Sequence, residues 1–223
     1  MGYIINRYGD IDMNRLHPFF LICLLILVSS QLGLSFERDS FWQPRLFLGG
    51  EYGYFRISLD NFENLYENRW GAVPGAHVGV RVYSSYYLAL KYRHFEKSGK
   101  QNGLNYSPLN TSDAKWDEDW YTIGVRINPN SAGIWDSYYG FGYVIFKITE
   151  KPGLSVYNDN ISHSNKKSGD GFFLEIGILR YFHNNLAGFI ELEISSGGIG
   201  GKTGFEGQSV GGYLISGGFT IWI

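Results

Sequence analysis

From about residue 45 onward, apolar and polar side chains alternate with a period of two. The clearest stretch is Tyr121 to Asn128, where Tyr121, Ile123, Val125 and Ile127 share one face and Thr122, Gly124 and Arg126 the other. In Gly75 to Val82, the residues Ala76, Val78, Val80 and Val82 oppose Gly75, His77, Gly79 and Arg81. Leu88, Leu90 and Tyr92 oppose Ala89, Lys91 and Arg93. Phe172, Leu174, Ile176 and Ile178 oppose Glu175 and Gly177, and Ile190, Leu192 and Ile194 oppose Glu191, Glu193 and Ser195. Alternation of this kind predicts strands with one apolar face and one polar or small face. Three further strands complete a set of about eight. Arg45 to Ser58 puts Phe47, Gly49, Glu51 and Gly53 on its polar side. Tyr138 to Thr149 is oriented only by Gly140 and Gly142, which suggest that Phe141, Tyr143 and Ile145 face outward. In the last, Tyr213, Ile215, Phe219, Ile221 and Ile223 face one way, and Leu214, Ser216, Thr220 and Trp222 the other.

The connections follow a long-short order. They span about 59–69, 83–85, 96–115, 128–133, 150–169, 183–185 and 197–209. In an up-and-down barrel, odd connections fall at one rim and even ones at the other, and outer-membrane barrels pair short periplasmic turns with long outward loops. A soluble sandwich also has short alternating strands. It gives no reason for charges in mid-strand or for the strict loop order. The reading is therefore an all-β fold: a closed, up-and-down, antiparallel transmembrane β-barrel of about eight strands. Closure satisfies every strand hydrogen bond where no water is available.

The first 35 residues read differently. Arg7 and Arg15 precede the apolar run Phe19 to Val28, and Ser29, Ser30, Gly33 and Ser35 follow. Charged, apolar and small residues in that order make a secretory signal peptide, with cleavage expected after Ser35 and Met13 as an alternative start. Ten apolar residues are too few to cross about 30 Å of hydrocarbon as a helix. Residues 36–223 would then form a single barrel domain. Cys23, the sole cysteine, leaves with the signal, which excludes disulfides, thiolate zinc sites and a cysteine nucleophile from the mature chain. Cleavage leaves 17 basic and 19 acidic residues, so the net charge stays at −2.

Composition agrees with strands: 17 Tyr, 16 Phe, 6 Trp and 30 Gly, which suit a pleated surface and close backbone approach. The slight negative charge offers no basic footprint for nucleic acid. No glycine-rich phosphate loop precedes a helix, and no cofactor is implied.

Signal peptide, eight strands and the terminal stretch Gly217-Gly218-Phe219-Thr220-Ile221-Trp222-Ile223 together resemble the small outer-membrane barrels of the OmpA and OmpX type. The resemblance runs over the whole mature chain by pattern rather than by a diagnostic motif. It implies residence among outer-membrane lipids in a bacterial envelope. It also implies passage through periplasmic chaperones and the barrel assembly machinery. Such proteins commonly end in Phe; this chain ends in Trp222-Ile223, with Phe219 four places back.

Four constellations are candidates for chemistry. The inward faces carry Glu51, Glu175, Glu191 and Glu193 against Arg81, Lys91, Arg93 and Arg126. An eight-stranded barrel is only wide enough for side chains to fill, and buried charges persist when paired. An internal salt-bridge network is expected, an ion or proton path being the other reading. Asp113, Asp117, Glu118 and Asp119 around Trp116 form an acidic surface-loop cluster, either solvating a loop or holding a divalent cation. Ser162-His163-Ser164-Asn165 invites comparison with lipid A deacylases. Neighbouring strand residues point to opposite faces, however, so a polar loop is the plainer reading. Trp70, Trp116, Trp120, Trp135 and Trp222 are expected in an interfacial girdle.

The function expected from all this is an integral, non-enzymatic outer-membrane protein. Its barrel would support the envelope and display loops for adhesion or for an extracellular or host ligand. The alternatives are a lipid-modifying outer-leaflet enzyme and a narrow channel for ions or small solutes.

Overall fold

The computed structural model of the chain describes residues 44–59, 62–66, 68–99, 114–129, 133–151, 165–199 and 209–223. Eight strands follow one another: β1 (Leu46–Ile57), β2 (Trp70–Tyr83), β3 (Tyr86–Gly99), β4 (Ala114–Ile127), β5 (Trp135–Lys151), β6 (Asn165–His183), β7 (Leu186–Ile199) and β8 (Ser209–Trp222). A four-residue helix, α1 (Phe62–Leu65), lies between β1 and β2. Each strand pairs antiparallel with its sequence neighbour, and β1 pairs with β8, which closes the barrel. With no free edge, every ladder hydrogen bond is made within the wall.

The alternation read from the sequence is the alternation of the wall. On β4, Thr122, Gly124 and Arg126 face the lumen, while Tyr121 and Ile123 are exposed outside. On β5, Tyr139, Phe141, Tyr143 and Ile145 are exposed, and Gly140, Val144 and Phe146 are buried. Glycines let the strands and the lumen packing close up. A Cβ on Gly142 would lie 2.2 Å from the carbonyl oxygen of Ile123 and 2.8 Å from the Phe173 ring.

Three long connections are shorter than the sequence pattern suggests. β3 runs on to Gly99, β6 begins at Asn165, and β7 continues to Ile199. Lys97, Ser98 and the stretch 165–170 carry no apolar face, so nothing in their pattern marks them as strand. Backbone pairing extends through them regardless. The candidate signal segment 1–35, with Cys23, lies outside the described residues, as do Asp113, Ser162, His163 and Ser164.

On the outside, apolar side chains form a continuous belt. Phe172, Leu174, Ile176 and Ile178 on β6 are 54–72% exposed. Tyr213 to Trp222 gives ten residues of β8 along the belt, and a tilted strand needs about 9–11 to cross a bilayer. Tyr54, Tyr92, Tyr121, Tyr143 and Tyr213 stand at the end of the belt nearer the long loops. Beyond that ring the outward positions turn polar at Arg56, His94, Asp119 and Lys147. The strand parts past the ring, residues 114–119 of β4 among them, therefore lie outside the belt.

Candidate functional site

The lumen is packed in three layers. The layer toward the long loops is aromatic. Phe55 meets Phe95 and Trp120 edge-on at 5.2 and 4.4 Å, and Trp120 meets Phe146 at 6.0 Å. From α1 and the residue after it, Phe62 and Tyr66 stack on each other at 4.3 Å. Both meet Trp116 edge-on, capping that mouth. The layer toward the short turns is also aromatic, with Phe47, Tyr87 and Trp222 in mutual contact at 5.0–5.5 Å.

Between them lies a layer of charge. Register places Glu51 on β1 opposite Gly75 of β2, and Gly75 opposite Arg93 of β3, so Arg93 reaches over a glycine to the acid. Its Nε donates to Glu51 at 2.7 Å, its Nη1 to Glu193 at 2.6 Å and its Nη2 to Glu191 at 2.8 Å. Lys91 donates to Glu175 and, at 2.6 Å, to Glu191, with Glu193 at 3.6 Å. Arg126 donates to Glu175 and Glu191, both at 3.1 Å. Tyr138 donates its hydroxyl to Glu191 at 2.7 Å, and its ring lies 4.0 Å beneath the Arg126 guanidinium. Gly177 makes room for that ring, since a Cβ there would stand 2.2 Å from it. In a low-dielectric interior such interlocked, charge-assisted bonds fix one another's geometry.

Seven of the eight residues proposed for an inward network thus come together. Arg81 does not. It sits opposite Tyr87, four residues along β2 from His77, or about 13 Å at the rise of a strand. No ion pair among the described residues joins it to the four glutamates.

The surface cluster needs a second correction. Asp117 and Asp119 do face outward, with His94 and Glu96 beside them. Asp119 accepts from the Tyr92 hydroxyl at 2.7 Å and lies 3.0 Å from His94 Nδ1. Lys115 pairs with Glu96 at 3.2 Å and lies 3.8 Å from Asp117, so a cation already sits among these acids. Glu118 points the other way and is fully buried, accepting from the indoles of Trp116 at 2.8 Å and Trp120 at 2.7 Å. Extending the parity of Tyr121, Ile123 and Val125 backward places 116, 118 and 120 inside. The same parity corrects the girdle: Trp116, Trp120 and Trp222 are lumen residues, whereas Trp135 is exposed and Trp70 stacks on Tyr54 at 5.3 Å.

Glu118 lies past the tyrosine ring. Burial pushes its carboxyl up to about 7, and the two indole hydrogen bonds offset only part of that. No cation among the described residues answers it.

A groove of about 710 Å³ opens on the outside of the wall. Gly124 and Gly142 floor it, and Phe141, Tyr143, Phe172 and Leu174 stand around it, so it belongs to the apolar belt.

No protein-family model matches the sequence, and no curated protein matches it. Solved structures do match in fold. Neisserial surface protein A (NspA) superposes with a TM-score of 0.57 at 10% identity, covering 80% of this chain and 97% of that one. The outer membrane protein OprG from Pseudomonas aeruginosa gives 0.54 at 12% identity, covering 85% and 98%. The chain has the fold of the small eight-stranded outer-membrane barrels.

Proposed function

We propose that this chain is an integral protein of a bacterial outer membrane. Its barrel has no catalytic role and no open pore, and it anchors the long connections outside the cell for adhesion or ligand binding. One contrast carries the reading: the outside of the wall is a continuous apolar belt edged by tyrosines, while the inside is filled by charge sealed between aromatic layers. A soluble protein seldom exposes so large an apolar surface, whereas a membrane barrel requires it. A lumen closed to water leaves the outward loops as the part free to meet other molecules. The fold shared with solved outer-membrane barrels supports the same location.

The channel reading has less support, because a conducting lumen needs an open wet path and the paired charges fill it. A deacylase-like enzyme would rest on Ser162, His163 and Ser164, about which the described residues give nothing.

The test is made on cells. The protein should fractionate with outer membranes. Protease added to intact cells should cut within 100–113, 152–164 or 200–208 and spare the short turns at 83–86 and 183–186. Recovery as a soluble periplasmic species, or cutting at the short turns from outside, would contradict the reading.

A further inference from the structure

The charged layer of the lumen holds more acid than base. Glu51, Glu175, Glu191 and Glu193 face Lys91, Arg93 and Arg126, and each of the seven is 7% exposed or less. Four carboxylates against three cations leave one negative charge over. Among the described residues no further Lys or Arg stands at this level. At this level β2 contributes His77, whose Nε2 lies 2.9 Å from the Thr220 hydroxyl. From β5 comes Tyr138, already donating to Glu191, and β8 adds only the hydroxyls of Ser216 and Thr220. Arg81 and Asp136 stand level with Tyr87 and Leu179, in the aromatic layer toward the short turns. An uncompensated charge sealed between two aromatic layers is among the costliest things a fold can bury.

We propose that this network is a proton-binding site: the folded barrel retains one proton at neutral pH, carried by Glu193 and shared with the carboxylates beside it. Contacts single out Glu193. Glu191 accepts from Lys91, Arg93, Arg126 and Tyr138. Glu175 accepts from Lys91 and Arg126. Glu51 accepts from two nitrogens of Arg93 and from Ser216. Among the described residues Glu193 has only Arg93 at hydrogen-bond distance, and directly across the β6–β7 ladder stands Glu175, a like charge. Oxygens of Glu175, Glu191 and Glu193 lie within 4.8 Å of one another, so a proton on one has an acceptor in reach. Lys91 already occupies the space between these three, where a metal ion would otherwise sit. The proton makes the layer neutral, with four acids, three bases and one hydrogen.

The experiment uses the full chain refolded in lipid with Glu118→Gln, because Glu118 is a second fully buried acid with no cation beside it among the described residues. Infrared spectra at about pH 8 should show the carbonyl stretch of one un-ionised carboxylic acid. Adding Glu193→Gln should abolish it. Absence of the band in the Glu118→Gln protein overturns the proposal, as does a band that survives the second substitution. Should the double variant not fold, proton counting with an indicator dye decides. At about pH 8 histidine is neutral in both states, and unfolding the Glu118→Gln protein should release close to one proton. Release of none would overturn the site.

Discussion

The indole Nε1 of Trp120 donates to Oε1 of Glu118 at 2.7 Å, deep in the aromatic layer beneath α1. The carboxylate therefore has donors but, among the described residues, no counter-charge, and burial pushes it up to about 7 from the ordinary 4.5. A raised carboxyl means that the folded state binds the proton more tightly than the unfolded chain does. Its contribution to stability is complete below about pH 4.5 and is lost as pH rises through about 7. The shift corresponds to roughly 3 kcal/mol. Unfolding midpoints measured across this window should fall with rising pH in the natural protein. In Glu118→Gln the fall should be smaller by that amount. Identical pH profiles for the two would show that Glu118 is not buried as described.

Arg93 is the hub of the charged layer, holding Glu51, Glu191 and Glu193 together. Arg93→Ala leaves three buried acidic side chains short of a partner. It should cost about 3–5 kcal/mol, the range for breaking a buried ion pair from one side. Urea unfolding from lipid vesicles measures this. A loss below about 1 kcal/mol would mean that water reaches these acids.

Gly177 sets the place of Tyr138. Gly177→Ala puts a methyl group where the Tyr138 ring stands, and the Arg126 guanidinium stacked over that ring at 4.0 Å limits how far it can move. Overpacking of this kind costs about 1–3 kcal/mol. Gly133→Ala, where the nearest atom is 3.6 Å from the added carbon, should be tolerated. The same unfolding series compares the two. Equal stability would contradict the packing of Tyr138 over Gly177.

The outward face is tested at Leu174, which is 65% exposed in mid-strand. Leu174→Arg places a charge in hydrocarbon and should cost about 2–4 kcal/mol near the bilayer midplane. Leu174→Met should cost little. If both variants unfold alike from vesicles, Leu174 does not face lipid.

Much of this was legible in the sequence, and the exceptions have physical causes. Period-two alternation fixes which side of the wall a residue takes, so Lys91, Arg93, Arg126 and the four glutamates are readable as inward without coordinates. Height along the strand is not readable that way. Arg81 shares the inward parity but stands opposite Tyr87, because register between strands sets which layer a residue joins. Glu118 was hidden by composition, since a run of Asp-Glu-Asp reads as a loop. Continued pairing through β4 to Ala114 turned the middle residue of that run inward. Trp116 and Trp120 follow it. Aromatic identity alone does not separate a girdle tryptophan from one filling the lumen.

A membrane barrel whose lumen is shut by paired charge between aromatic layers carries no current, and electrical recording tests this most directly. Purified protein inserted into planar bilayers should show no stable single-channel steps. Arg93→Ala should raise the leak, because it opens the charged layer. Large, stable conductance steps from the unaltered protein would contradict the account, since they require a continuous wet path through the lumen.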